Sequence, residues 1–178
     1  FSVYHKMYNI HEKMLNYGEY PECWKDGLKE EIFSHICKWI EKNIKPDYQL
    51  LDYGCGSGIL SIAAAKLGCS KIDGIDNDHQ ALANAERNKS LNSSNVNFFH
   101  SDTYVQKKDY DLTVANILLN TIIQLKEKLI SSLKPRGTLI LSGILEDQAS
   151  SIIDTFRNEM VISIIDQNEG WLLMKGQK

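Results

Sequence analysis

Between Pro21 and Pro46 the apolar residues Leu28, Ile32, Ile36 and Ile40 recur every four positions, so one stripe of a helix is set to face a core. Upstream, Tyr4, Tyr8, His11 and Leu15 share a similar spacing, which predicts a shorter helix over 3–16 whose aromatic face covers an opening or the core. After Pro46 the pattern changes to QLLDY, ILSIAAAKL, KIDGI and a polar-faced helix from about Asp78 to Leu91, the strand–helix alternation of a parallel sheet. Further strands are expected at 96–100 (VNFFH), 110–116 (YDLTVAN), 138–143 (TLILSG), 160–166 (MVISIID) and 171–176 (WLLMKG). Helical spacing between them links Ile122, Leu125, Leu129 and Leu133, and again Leu145, Ala149, Ile152, Ile153 and Phe156. The pattern predicts a doubly wound α/β domain on a seven-stranded, mostly parallel sheet. Its last two strands are joined only by Asn168, Glu169 and Gly170, so they are expected to pair as an antiparallel hairpin.

Composition narrows the function classes. A chain of 178 residues with 43% hydrophobic and 24% charged content suits one compact domain. A net charge of -3 gives no footprint for gripping phosphate backbones, so a nucleic-acid partner is not expected. No apolar run approaches the ~20 residues of a membrane span, and FSVYHKMYNIHEKM lacks a signal peptide's apolar stretch. A cytoplasmic protein is expected, with no membrane partner. Cys23, Cys37, Cys55 and Cys69 show no metal-ligand spacing, so they read as free thiols and no metal is expected. The chain begins at Phe1 rather than Met, which leaves room for an upstream domain or a partner subunit.

The strongest chemical signal is LLDYGCGSGIL, residues 50–60, an apolar strand that runs into three glycines before a helix. Gly54, Gly56 and Gly58 allow a tight turn and close approach of backbone to ligand. Asp76 ends the next strand about 22 residues after Gly54, at the distance where a carboxylate accepts from ribose hydroxyls. A nucleoside pocket at the carboxyl end of the sheet follows. The dinucleotide pattern GxGxxG would need a third glycine where Ile59 stands, so a dehydrogenase is disfavoured. The GxGxG run preceded by Asp52 resembles the class I methyltransferases, whose donor is S-adenosyl-L-methionine. On that resemblance Ser101 and Asp102 fall where the adenine amino group is held, and Cys55 and Asn77 join the donor contacts. Asn116, ending VAN at 114–116, falls where amine-methylating enzymes aim the target nitrogen; read alone, it could equally cap the following helix.

From about Leu50 onward the chain resembles the PrmA family, bacterial enzymes that methylate amino groups of protein eleven of the large ribosomal subunit. The matching pieces are LDYGCGSGILSIAAAKLG, GIDNDHQALANAERN, DLTVANIL, LKPRGTLILSGIL and EDQ, in order. The resemblance implies a Rossmann-like methyltransferase domain over 47–178, with Gly54, Asp76 and Asn116 as donor contacts and S-adenosyl-L-homocysteine as product. The family's N-terminal substrate-gripping domain and its Gly/Thr-rich, His-containing segment are not visible. Residues 1–46 are expected instead to form a helical, substrate-facing lid, and IHEKML within them is similar to a helix that folds over the donor in protein arginine methyltransferases. The paired-glutamate loop of those enzymes is replaced here by NILLNTI, so arginine is not implied.

The reaction these readings point to is methyl transfer to an amino nitrogen of a protein, with a small-molecule or short-peptide amine as the alternative acceptor. A donor-binding subunit that needs a partner is the non-catalytic alternative. Asn116 would orient the nitrogen and His11 would take its proton; a surface or interface histidine is the plainer reading of His11.

Overall fold

A computed structural model describes the backbone of residues 28–178 and the side chains from Ser34 onward. The helix expected over 3–16, with His11 and IHEKML, and Cys23 lie outside the described residues. Helix α1 spans Leu28–Asn43, followed by β1 (Gln49–Tyr53), α2 (Ile59–Lys66), β2 (Lys71–Asp76), α3 (His79–Leu91) and β3 (Asn97–His100). The second half runs β4 (Tyr110–Asn116), α4 (Leu119–Ser132), β5 (Leu133–Leu145), α5 (Ala149–Phe156), β6 (Ile162–Asn168) and β7 (Trp171–Gln177). The strands form one seven-stranded sheet in the order β3-β2-β1-β4-β5-β7-β6. Pairings from β3 through β5 are parallel, while β7 runs antiparallel to both β5 and β6. The expected doubly wound sheet with its C-terminal hairpin is the observed one.

Two cores flank this sheet. On one face α1 and α2 bring Ile36, Cys37, Ile40, Ile59 and Ile62 against Leu50, Ile72, Leu112 and Ile140. On the other, α4 and α5 bring Ile122, Leu129, Ile152 and Phe156 against Leu51, Ile75, Leu139 and Leu141. Central strands buried on both faces read as apolar runs rather than alternations, which is why QLLDY shows four buried residues in succession. The hairpin turn places Glu169 at φ 46° and Gly170 at φ 81°, two left-handed residues whose twist matches the flanking strands. Helix α1, in the segment expected to serve as a lid, buries Ile36 and Ile40 in the same core as β1.

Three of the boundaries that differ from expectation bear on how the elements pack. Leu133, expected on the stripe of α4, is the first residue of β5; Pro135, two positions on, cannot continue a helix. Leu145 ends β5 instead of opening the next helix, which begins only after a short 3-10 turn at Glu146–Gln148. Met160 precedes β6 and packs into the core from a loop.

Candidate functional site

The sheet order reverses between β1 and β4, the point where open α/β sheets hold ligands outside the carboxyl ends of their strands. The residues singled out in the sequence gather there: Asp52 near the end of β1, Asp76 ending β2, Ser101 and Asp102 after β3, and Asn116 ending β4. A cleft of about 480 Å³ opens at this edge, within the range of small-molecule sites. Gly54, Asp76, Asn77 and Ser101 line one side of it, together with Tyr53 and Ile75. The opposite wall belongs to Ile117 and to the face of α4 that carries Thr121, Gln124, Leu125 and Lys128. The sequence pattern picks out the apolar stripe of α4, which includes Leu125, and does not distinguish Thr121, Gln124 and Lys128 beside it. Asp52, Cys55, Gly56, Gly58, Asp102 and Asn116 sit around the cleft without lining it.

The glycine loop is shaped by three left-handed residues, Gly54, Gly56 and Gly58, at φ 78°, 54° and 79°. Each has a different neighbour. A Cβ on Gly54 would run into the Ile117 side chain, and one on Gly58 would meet Phe98 Cζ at 2.6 Å, so both are packed glycines. A Cβ on Gly56 would meet nothing within 4 Å, which leaves open space beside the loop. The loop is tied across to β2. Asp76 Oδ2 accepts from the Gly56 N–H at 2.7 Å, and Oδ1 accepts from the Asp78 N–H at 3.0 Å.

Asp52 has a different surrounding. It is 1% exposed, and its Oδ2 accepts from the Ser61 hydroxyl at 2.6 Å and the Ser61 N–H at 3.1 Å, which fastens β1 to the first turn of α2. Burial pushes its pKa up to about 6; the Ser61 bonds pull against that rise, and the charge of Asp76 adds to it. Burial also drives the Cys55 thiol upward, with Asp52 and Asp76 adding to the rise, which favours the protonated thiol. Among the described residues the side chain of Asn116 has no hydrogen-bond partner, and the N-cap of α4 is Leu118, not Asn116. The capping alternative for Asn116 is therefore not the one adopted.

The model of the ribosomal protein L11 methyltransferase (PrmA) family matches residues 34–178. The chain belongs to that family. Ribosomal protein L11 methyltransferases of Burkholderia orbicola and Burkholderia lata are each 38% identical to it over 153 residues, which cover 85% of this chain and 51% of theirs. The chain thus spans about half the length of the curated relatives it matches. A ribosomal protein L11 methylase from Lactobacillus delbrueckii subsp. bulgaricus superposes with a TM-score of 0.74 at 30% identity, over 82% of this chain and 78% of that one. The magnesium protoporphyrin IX methyltransferase of Synechocystis PCC 6803, solved with bound SAM, superposes at 0.69 with 17% identity, over 84% of this chain and 79% of that one; it shares the fold.

The family accounts for the Rossmann-like methyltransferase architecture. Among the described residues no cluster of three or more His, Cys, Asp or Glu could hold a metal ion. No helix among them is long and apolar enough to cross a membrane.

Proposed function

We propose that this chain is an S-adenosyl-L-methionine-dependent N-methyltransferase whose acceptor is an amino nitrogen of a ribosomal protein, as the names of its relatives suggest. The observation that carries this reading is the cleft at the switch point of a PrmA-family sheet, with Asp76 at its rim and open space beside Gly56. The residues present suit the donor. Gly54 and Gly56 would let the backbone approach it, Asp76 would accept from its ribose, and Asn77, Ser101 and Asp102 would face its adenine.

When bound, S-adenosyl-L-methionine supplies a methyl group on an electrophilic sulfonium centre. The chain's part is to position the attacking nitrogen and to exclude water, because in-line displacement by a neutral amine needs alignment more than acid–base chemistry. Asn116, at the end of β4 and without a side-chain hydrogen bond among the described residues, would accept a hydrogen bond from the acceptor N–H through its amide oxygen and aim the lone pair. A lysine amine, with an ordinary pKa near ~10.4, must first lose a proton, whereas an α-amine near ~8 does so more readily. His11 would be the proton acceptor if residues 1–27 fold toward the cleft.

Methyl-transfer assays on the chain with ribosomal protein L11 against a panel of small amines test this reading. Turnover of the ribosomal protein is the expected result, and exclusive turnover of small amines would overturn the acceptor assignment. A second reading, a donor-binding part that acts only with a further domain or subunit, is favoured by the half-length match to the relatives. Turnover by the chain alone rejects it.

A further inference from the structure

The residue that ends β3, His100, touches the segments that follow β2 and β3 on the nucleoside side of the cleft. Its register partner in β2 is Asp76. Its Nε2 lies 3.0 Å from the carbonyl oxygen of Asn77, in the loop that follows Asp76. Its Nδ1 lies 3.3 Å from the backbone N–H of Asp102, in the loop that follows β3. The ring stacks on His79, the first residue of α3, with centroids 4.0 Å apart and planes 9° from parallel. Its side chain is only 15% exposed, although the neighbouring Asp102 is 84% exposed.

These partners fix the proton. A carbonyl only accepts, so Nε2 carries the hydrogen; a backbone amide only donates, so Nδ1 is bare. The geometry thus selects one arrangement, Nε2 donating and Nδ1 accepting, with each nitrogen committed to a different loop. In a protein, a ring nitrogen's second bond commonly decides the orientation of the group its first bond serves. Here two bonds and a stack hold the loop of Asp76 and Asn77 at a set distance from that of Ser101 and Asp102.

We infer that His100 is a positioning residue for the methyl donor: it bridges the loops that would hold the ribose and the adenine and fixes their separation before binding. It touches neither donor nor acceptor, and it rests on the reading of this cleft as a donor site. Preorganisation of this kind acts on affinity, because two loops that are already placed lose less freedom when the ligand arrives.

Calorimetric titration of the whole chain with S-adenosyl-L-homocysteine tests it, at a temperature where circular dichroism shows each variant folded. His100→Ala, which removes both bridges and the stack, is expected to weaken binding about tenfold, or about 1.4 kcal/mol. His100→Gln can still donate to the Asn77 carbonyl, and His100→Asn can still accept from the Asp102 amide, so each is expected to bind between the parent and His100→Ala. Nitrogen-15 NMR of the parent should show the neutral imidazole with its hydrogen on Nε2 and Nδ1 unprotonated. The inference is overturned by His100→Ala binding within twofold of the parent, by the Gln and Asn variants binding no better than Ala, or by protonation at Nδ1. A parent chain that binds no donor would instead reject the reading of the cleft, and the imidazole spectrum would still decide the tautomer.

Discussion

The Gly56 N–H donates to Asp76 Oδ2 at 2.7 Å, so the acid that ends β2 holds the glycine loop of β1 as well as facing the cleft. Its other oxygen is bonded to the Asp78 N–H, which fixes the start of α3. Asp76→Ala therefore unties two backbone segments together and, on the proposed reading of the cleft, also removes a ribose acceptor. Hydrogen bonds to a charged group contribute about 1.5–3 kcal/mol each, so donor affinity should fall by tenfold or more. Asp76→Asn, which keeps one carbonyl oxygen as acceptor, should fall between Ala and the parent. Calorimetric donor affinity equal to the parent's in Asp76→Ala would contradict the site.

A second acid of β2 is buried in a hydrogen-bond network. Asp73 is 0% exposed and accepts from Tyr110 Oη at 2.5 Å, Lys107 Nζ at 2.7 Å and Asn97 Nδ2 at 3.0 Å. Burial pushes its pKa up, but these donors outweigh burial and hold the carboxyl below its ordinary value. The Tyr110 hydroxyl also meets that of Tyr104 at 2.6 Å, which pins the loop between β3 and β4 to the sheet. Tyr110→Phe should destabilise the fold by about 1.5–3 kcal/mol, since one bond to a buried charge is lost and a polar group of Tyr104 is left with one partner fewer. Urea unfolding measures it, and a midpoint unchanged from the parent would mean that the network carries no stability.

Much of this arrangement was legible in the sequence, for identifiable reasons. Asp52, Gly54, Gly56, Asp76 and Asn116 stand at strand ends, where a turn and a change of period mark the chain, so their convergence on one sheet edge followed from βαβ topology alone. Leu133 was misplaced because helical spacing continues through it, while the break comes from Pro135 and from the early pairing of Leu133 with Tyr110. Thr121, Gln124 and Lys128 were not legible as cleft residues, since polar positions on a helix look alike until the neighbouring strand ends show which of them face a cavity. Nor was the role of His100, whose partners Asn77, Asp102 and His79 are joined only by tertiary structure.

Asp52 gives the fold a pH dependence of definite sign. Its folded pKa is raised from 3.8 to about 6, so between those values the folded chain holds a proton that the unfolded chain has released. The stability from this group is complete below 3.8 and is lost as pH rises through about 6, on the order of 2 to 3 kcal/mol. Asp73, Asp111 and Asp166 act oppositely and lower down: their folded values lie below 3.8, so their contribution is present above it and lost on further acidification. Asp52→Asn should remove the decline between pH 4 and 6.5 and leave the acid limb in place. Denaturant unfolding at stepped pH checks this; parallel curves for parent and variant would reject the assignment to Asp52.

Asn116 separates positioning of the acceptor from support of the fold. Helix α4 takes Leu118 as its N-cap without any side-chain bond, so truncating Asn116 removes no cap and should change stability by less than the ~1 kcal/mol that loss of a capping side chain costs. If its amide orients the target nitrogen, Asn116→Ala should lower kcat by two to three orders of magnitude, roughly 2.7–4 kcal/mol by analogy with loss of one transition-state hydrogen bond. A moderate loss of donor affinity is compatible with this, because Asn116 ends β4 beside Gly54's neighbour Ile117. Asn116→Asp should be nearly as slow: it keeps an acceptor oxygen but brings a charge that favours the protonated, unreactive amine. The decisive measurement is single-turnover methyl transfer to the ribosomal protein at saturating donor and below the melting temperature, where a parental rate in Asn116→Ala would remove Asn116 from the chemistry.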